Sequence, residues 1–241
     1  MQLQGFEGTF LYRFQKDMRF DKEMVQLHHA ILIACEESQV ECVAFRKSGY
    51  IAFSCDLQCC SGGHPEWHIV GDVVPLLTGC KVFETESGDY YQVDRWSMVI
   101  AHPPCTYLSA AANVFMFASP GTVRTERYIK GQYAASLFNL CLATDADFVC
   151  VENPRPYRMW GFPPPSQRLS PEEFGHHWTK RTYLWLRNLP PLLPSLFVSD
   201  TRSWVYSVRG QKMRSKSFEG IAKAMVEQWG CYVQECLIDR I

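Results

Sequence analysis

From residue 30 onward, apolar positions gather in short runs bounded by polar or proline-containing segments, a pattern that predicts strands alternating with helices. Ala30-Ile31-Leu32-Ile33-Ala34 reads as a buried strand. Glu36 to Ser48 follows as a short helix with Val40, Val43 and Ala44 inward and Gly49 as its stop. A second strand, Ile51 to Cys55, ends in Asp56, and a third, Ile69 to Val73, carries Asp72 near its end. Ser97-Met98-Val99-Ile100 is another buried run, closed by Pro103 and Pro104, which cannot continue a sheet ladder. A helix is predicted from Arg124 to about Ala143, with Ile129, Leu137, Phe138, Leu140 and Cys141 inward. A strand from Asp147 to Val151 then ends in Glu152-Asn153-Pro154. Gln167 to Glu173 reads as a loop or short turn and Tyr183 to Leu186 as a strand. The last helix runs from Phe218 to Trp229, with Ser217 as N-cap and Gly230 as stop. Residues 1–29 have aromatics and mixed charges but no period, and read as an N-terminal extension without assigned function. The pattern predicts one α/β domain over residues 30–241, with a mostly parallel central sheet and helices on both faces.

Composition narrows the class. The 241 residues are 47% hydrophobic, enough for one large core. No run approaches the roughly 20 apolar residues of a membrane span, and no signal-peptide pattern opens the chain, so a cytoplasmic protein is expected. Eleven cysteines form an odd set without framework spacing and are expected to be reduced. A net charge of -1 argues against a broadly basic coat, so any nucleic acid must be held by local patches. One such patch is the run Arg202, Arg209, Lys212, Arg214 and Lys216, interleaved with Trp204 and Tyr206 and free of acids; it reads equally as a solvated basic loop.

The chemistry gathers at strand ends. Cys105 leaves the sheet just after two prolines, at the rim where open α/β sheets bind ligands, although a cysteine is more often a small buried hydrophobe. Glu152 emerges from what should be a neighbouring strand, and a thiol beside a carboxyl is a working pair for covalent chemistry. Asp56 lies 21 residues after Cys35, the layout of an acid that bonds ribose hydroxyls. The first turn, Cys35-Glu36-Glu37-Ser38, has no glycine and two acids, so it suits a cationic, phosphate-free nucleoside better than a pyrophosphate. Asp72 reads equally as an acceptor for an adenine amino group and as a solvated turn acid. Cys55, Cys59, Cys60, His64 and His68 are close enough in sequence to invite a zinc reading, but no paired C-x2-C spacing is present and no metal is expected. Thr106 to Thr125 combines small residues with Phe115, Met116 and Phe117, which suits a closing loop or one held by buried anchors.

Taken in order, Pro103-Pro104-Cys105, Glu152-Asn153 and the strand acids Asp56 and Asp72 resemble the DNA cytosine-5 methyltransferases, in particular their compact phage-type branch. Phe174-Gly175, Lys180-Arg181-Thr182-Tyr183-Leu184-Trp185-Leu186 and Gly220-Ile221-Ala222-Lys223-Ala224-Met225 extend the resemblance over roughly residues 30 to 230. It implies a Rossmann-like, S-adenosylmethionine-dependent fold and double-stranded DNA as partner. By this resemblance Cys105 is the nucleophile for cytosine C6, Glu152 binds N3 and the amino group, and Lys180 and Arg181 help hold the base. Asp56 and Asp72 contact the ribose and adenine, and Ala34, Cys35, Glu36, Leu57, Val73 and Pro103 complete the implied cofactor-binding set.

Those residue types make chemical sense. Adding a thiolate at C6 while N3 is protonated turns the ring into an enamine that can take a methyl group, and the target base must first be flipped out of the duplex. The thiol needs a lowered pKa, which a basic neighbour or helix N-terminus can supply. The sequence departs from the family at the glycine-free first turn, at Thr182 where a second arginine is expected, and in residues 187–216, a reduced target-recognition segment that implies a short site, a partner or unusual strands. Transfer to another pyrimidine, in RNA or a free nucleotide, transfer of another group, and a silent nucleic-acid-binding decoy are the alternatives.

Overall fold

The computed structural model describes residues 23–238, apart from the side chains of residues 211, 212 and 236–238. Residues 1–22 of the predicted N-terminal extension lie outside this set. The fold is α/β, with a mixed central sheet of eight strands flanked by helices.

The sheet is built on β1 (Val25–Ala34), which pairs in parallel with β2 (Ala52–Asp56) on one side and with β5 (Tyr90–Ala101) on the other. Outside β2 lies β3 (His68–Val70), and β4 (Val82–Glu84) forms an antiparallel hairpin with the start of β5. Beyond a hairpin of β6 (Phe117–Ser119) and β7 (Thr122–Val123), β8 (Phe148–Pro154) adds to β5 in parallel. The far edge is β9 (Gln167–Leu169), reached through β11 (Thr182–Arg187), which runs antiparallel to both β8 and β9. The spatial order is β3-β2-β1-β5-β8-β11-β9. A small ladder joins β10 (Trp178–Thr179) to β12 (Arg202–Ser203).

Side-chain alternation along the strands feeds two cores, one on each face. Leu32 and Ala34 of β1, Val99 and Ala101 of β5, and Val149 and Val151 of β8 face Ala134, Leu137, Phe138 and Cys141 of α3 (Thr125–Ala143). Ile31, Ile33, Met98, Ile100 and Cys150 face the other way. There they meet Cys42 and Phe45 of α1 (Val40–Lys47), together with Ile221, Met225 and Trp229 of α6 (Glu219–Ile238). Between α1 and α3 lies the single turn α2 (Val74–Leu77), and α4 (Trp204–Ser207) and α5 (Gln211–Ser215) precede α6.

Several predicted boundaries move, each for a local reason. Strand β1 begins at Val25 rather than Ala30, because its polar first half is paired to β5, where Gln26 and His28 bond the Asp94 carboxylate at 2.6 and 2.8 Å. Helix α1 begins at Val40 rather than Glu36, and its buried residues are Glu41, Cys42 and Phe45; of the predicted inward positions, Ala44 packs against the core half-buried, and Val40 and Val43 are half-buried. Ile129 of α3 is exposed. The third strand ends at Val70, with Asp72 in the turn that follows. The stretch predicted as loop at Gln167 supplies the edge strand β9. Gly230 does not stop the last helix: it lies within α6, where a Cβ would come within 2.4 Å of the Tyr50 hydroxyl, so close packing accounts for the glycine.

Candidate active site

Because β1, β2, β3, β5 and β8 are parallel, their carboxyl ends emerge along one edge of the sheet, and antiparallel β11 brings its amino end to the same edge, with Thr182 opposite Pro154. That edge collects Cys35, Asp56, Asp72, the loop from His102 to Cys105, Glu152 and Lys180. Residues separated by up to 145 positions in the sequence share it.

The loop carrying Cys105 is fixed at both ends. His102 N–H donates to the Ala34 carbonyl at 2.9 Å, and the Asn153 amide donates to the Pro103 carbonyl at 2.9 Å. Pro103 is buried, so this strap ties the end of β5 to the end of β8 from inside. Beyond the thiol, Leu108 and Ser109 N–H donate to the Cys105 carbonyl at 3.1 and 3.0 Å, a tight turn that ends the excursion. The segment that follows is anchored by fully buried Leu108 and Met116 and by bonds from Tyr157 N–H to the Leu108 carbonyl and from Ala110 N–H to the Arg155 carbonyl. Val114 and Phe115 are exposed at its tip.

A buried chain of acids and one histidine lies behind Glu152. Glu36 accepts from Glu41 N–H at 2.7 Å and Cys42 N–H at 3.3 Å, so its carboxyl caps the amino end of α1. Burial, reinforced by the Glu41 charge, pushes the Glu36 carboxyl well above the ordinary range. Glu41 goes the other way: burial opposes ionisation, but His102, Glu36 and the Ser217 hydroxyl overcome it and hold Glu41 charged. His102 sits between two carboxylates, Nε2 at 3.3 Å from Glu41 and Nδ1 at 3.2 Å from Glu152. Burial alone would drive the imidazole neutral; the carboxylates reverse this and raise its pKa to about 10. Glu152 is likewise penalised by burial, yet His102 and Lys180 together keep its pKa below the usual carboxylate range.

Cys105 does not have the lowered pKa that the sequence reading asks for. Burial and the Glu152 charge push the thiol up, while Lys180 and Arg214 pull it down without prevailing. Lys180 reaches the site from just before β11, its ammonium 5.7 Å from the Phe218 ring. Arg214 comes from α5 in the basic segment, which the β10–β12 ladder and the contacts of Trp204 with Trp178 and Phe218 fold back toward this edge. Arg181, predicted beside Lys180, is exposed. The Lys212 side chain lies outside the described residues.

At the other end of the edge the rim is rich in acceptors. Asp56 and Asp72 each take one backbone N–H two residues on, from Gln58 and Val74, both at 3.0 Å through Oδ1. Leu57, next to Asp56 in the chain, is 77% exposed, and Val73, next to Asp72, is buried. Cys35 turns through φ 62° at the end of β1, and burial with neighbouring Cys141 and Cys55 pushes its thiol well above the ordinary value. This donor-poor, acidic set fits a ligand that brings hydroxyl and amino donors and positive charge, rather than a phosphate. Two predicted members have other work: the Ala34 carbonyl holds His102, and the Glu36 carboxyl caps α1 from inside the protein.

Sequence reading missed His102, Glu41 and Asn153 as working parts of the site. Asn153 lies within the Glu152-Asn153-Pro154 strand exit, and His102 borders the two prolines at a strand end, which is its signal; Glu41 carries no local signal. The zinc alternative is not supported by placement. His68 is buried and bonded to Ser54 and the Gln58 carbonyl, and His64 stacks on Trp67 and pairs with Glu66. Among the described residues no group of three or more His, Cys, Asp or Glu side chains could hold a metal ion, and no helix is long and apolar enough to cross a membrane. The sequence matches no protein-family model and no curated protein.

Proposed function

We propose that this chain is an S-adenosylmethionine-dependent DNA cytosine-5 methyltransferase of Rossmann-like fold, acting through a covalent bond from Cys105 to C6 of a flipped-out cytosine in double-stranded DNA. The observation that carries the reading is the convergence of Cys105 and Glu152 at the carboxyl ends of adjacent parallel strands, where His102 on the Cys105 loop bonds Glu152 at 3.2 Å. The strand order, parallel from β3 through β8 with β11 reversed between β8 and β9 and β4 reversed beside the start of β5, supports a doubly wound architecture whose ligands lie at this edge.

Asp56, Asp72 and Leu57 would hold the ribose and adenine of S-adenosylmethionine, and the acidity of the rim suits its positive charge. When bound, that cofactor supplies a methyl group on an electron-poor sulfonium. Glu152 accepts from the cytosine amino group and from N3 once it is protonated, which draws electrons from C6. A cationic ring neutralises the Glu152 charge and so removes one of the two causes that keep Cys105 a thiol; Lys180 and Arg214 then favour the thiolate. The thiolate adds at C6 and makes C5 nucleophilic; once C5 has gained the methyl group that the bound cofactor would supply, transfer of the C5 proton to a base, with expulsion of the Cys105 thiolate, would restore the ring. Lys180 and Arg214, whose charges act on Cys105, also offer cations for DNA phosphates.

The test combines trapping with product analysis. On DNA carrying 5-fluorocytosine, the wild-type chain forms a covalent adduct in the presence of the cofactor and Cys105→Ser does not, while cofactor affinity is unchanged. Nucleoside mass spectrometry after reaction with DNA, RNA and free nucleotides identifies the modified base; full turnover by Cys105→Ser would overturn the mechanism.

A further inference from the structure

We infer that His102 is a positioning residue for Glu152: as an imidazolium clamped by Glu41, it occupies one oxygen of the Glu152 carboxylate and leaves the other for the base. The inference rests on the function proposed above for what Glu152 touches, but the clamp itself stands on geometry. Nδ1 of His102 is hydrogen-bonded to Glu152 at 3.2 Å, and Nε2 lies 3.3 Å from a Glu41 carboxylate oxygen, at ion-pair distance but without the alignment of a hydrogen bond. A neutral imidazole carries one N–H, so in that form one nitrogen would point a lone pair at an anion; only the doubly protonated ring serves both. The site is also buried: the Glu41 side chain is 2% exposed and that of His102 14%. An unpaired charge there would be costly.

Every support of the clamp comes from a different element. The Ala34 carbonyl at the end of β1 holds the His102 backbone, Glu36 in the next turn holds the amino end of α1 and so Glu41, and Asn153 holds the loop beside the ring. The charged and titratable groups around His102 are Glu41 and, through it, Glu36 on one side, and Glu152 with Lys180 behind it on the other. Cys105 follows on the same loop, and Cys150 lies under both carboxylates on β8. Without the imidazolium, Glu152 would face the buried charge of Glu41, and both burial and that charge favour its neutral form. A neutral Glu152 offers one acceptor fewer to a ring whose amino group and protonated N3 both donate.

The experiment uses the full chain labelled with 15N-histidine, the His102 resonances being assigned by their absence from His102→Asn. The imidazolium pattern is expected to persist at pH 8 in the wild type, and the His102 midpoint to fall by about one pH unit or more in Glu41→Gln. In parallel, single-turnover methyl transfer by His102→Asn is expected to fall roughly a hundredfold with cofactor affinity within about twofold; Glu41→Gln, which keeps the imidazole, is expected to fall less and covers the case in which His102→Asn does not fold. A neutral His102 at pH 8 overturns the inference whatever the activity, as does a charged His102 whose removal leaves the transfer rate unchanged. If the wild-type chain transfers no methyl group, the proposed function falls, and the resonances alone decide whether the clamp exists.

Discussion

Replacing His102 by Asn also tests the buried network through stability. In the folded chain burial works against the cation, but Glu41 and Glu152 hold its pKa at about 10, against about 6.5 for an unfolded chain. A group with a raised folded pKa contributes fully below the unfolded value and loses that contribution as pH rises through the folded value. The window is therefore pH 6.5 to about 10, and within it each pH unit removes about 1.4 kcal/mol, one proton's worth. From pH 7 to pH 8.5 the loss is about 2 kcal/mol. Buried thiols such as Cys42 and Cys55, pushed up chiefly by burial, add losses in the same direction, but only near and above the ordinary thiol pKa of about 8.5. Near neutrality the difference between wild type and variant thus reports the imidazole. At pH 6.5 the variant, in which Glu41 and Glu152 lose the cation they share, should be less stable by about 3 to 5 kcal/mol. Urea unfolding followed by tryptophan fluorescence at several pH values measures both. The expected result is a gap between wild type and His102→Asn that narrows by about 2 kcal/mol between pH 7 and pH 8.5. A gap that stays constant with pH would refute the charged imidazole.

Two further predictions concern the frame around the site. Gly220→Ala would put a Cβ 1.9 Å from the Phe174 carbonyl oxygen; backbone cannot swing aside, so a net loss of about 1 to 3 kcal/mol is expected despite the better helix propensity of Ala, read as a lower midpoint in thermal unfolding. Arg187 donates to the Leu142, Thr144 and Ala146 carbonyls at 3.0, 2.5 and 2.8 Å, closing the carboxyl end of α3. Arg187→Met should cost about 2 to 4 kcal/mol in urea unfolding, and an unchanged midpoint would show that water replaces the guanidinium freely.

Local signals carried much of the fold. The apolar runs ending in Asp56, in Pro103-Pro104 and in Glu152-Asn153-Pro154 marked the strands and their exits, because a buried strand must be apolar and a proline ends its ladder. Gly49 stopped α1 as read, at φ 87°. Gly230 was misread because a glycine required for close packing against Tyr50 looks in sequence like a glycine required for a helix end. The edge strand β9 was missed because three residues carry too little period to distinguish from a turn.

What the sequence determined by itself was which segments form the central buried strands and which chemical groups stand at their ends, since periodicity and chain breakers act over a few residues. Tertiary structure alone decided that those ends share one edge, because strand order and direction are set by pairing between segments far apart in the chain. It also decided the charges there. Glu41 carries no signal in the sequence until Glu36 and His102 close around it, and the lowered pKa that the mechanism asks of Cys105 is opposed by burial and Glu152. Ionisation depends on what surrounds a group in space, and those surroundings exist only once the sheet has formed.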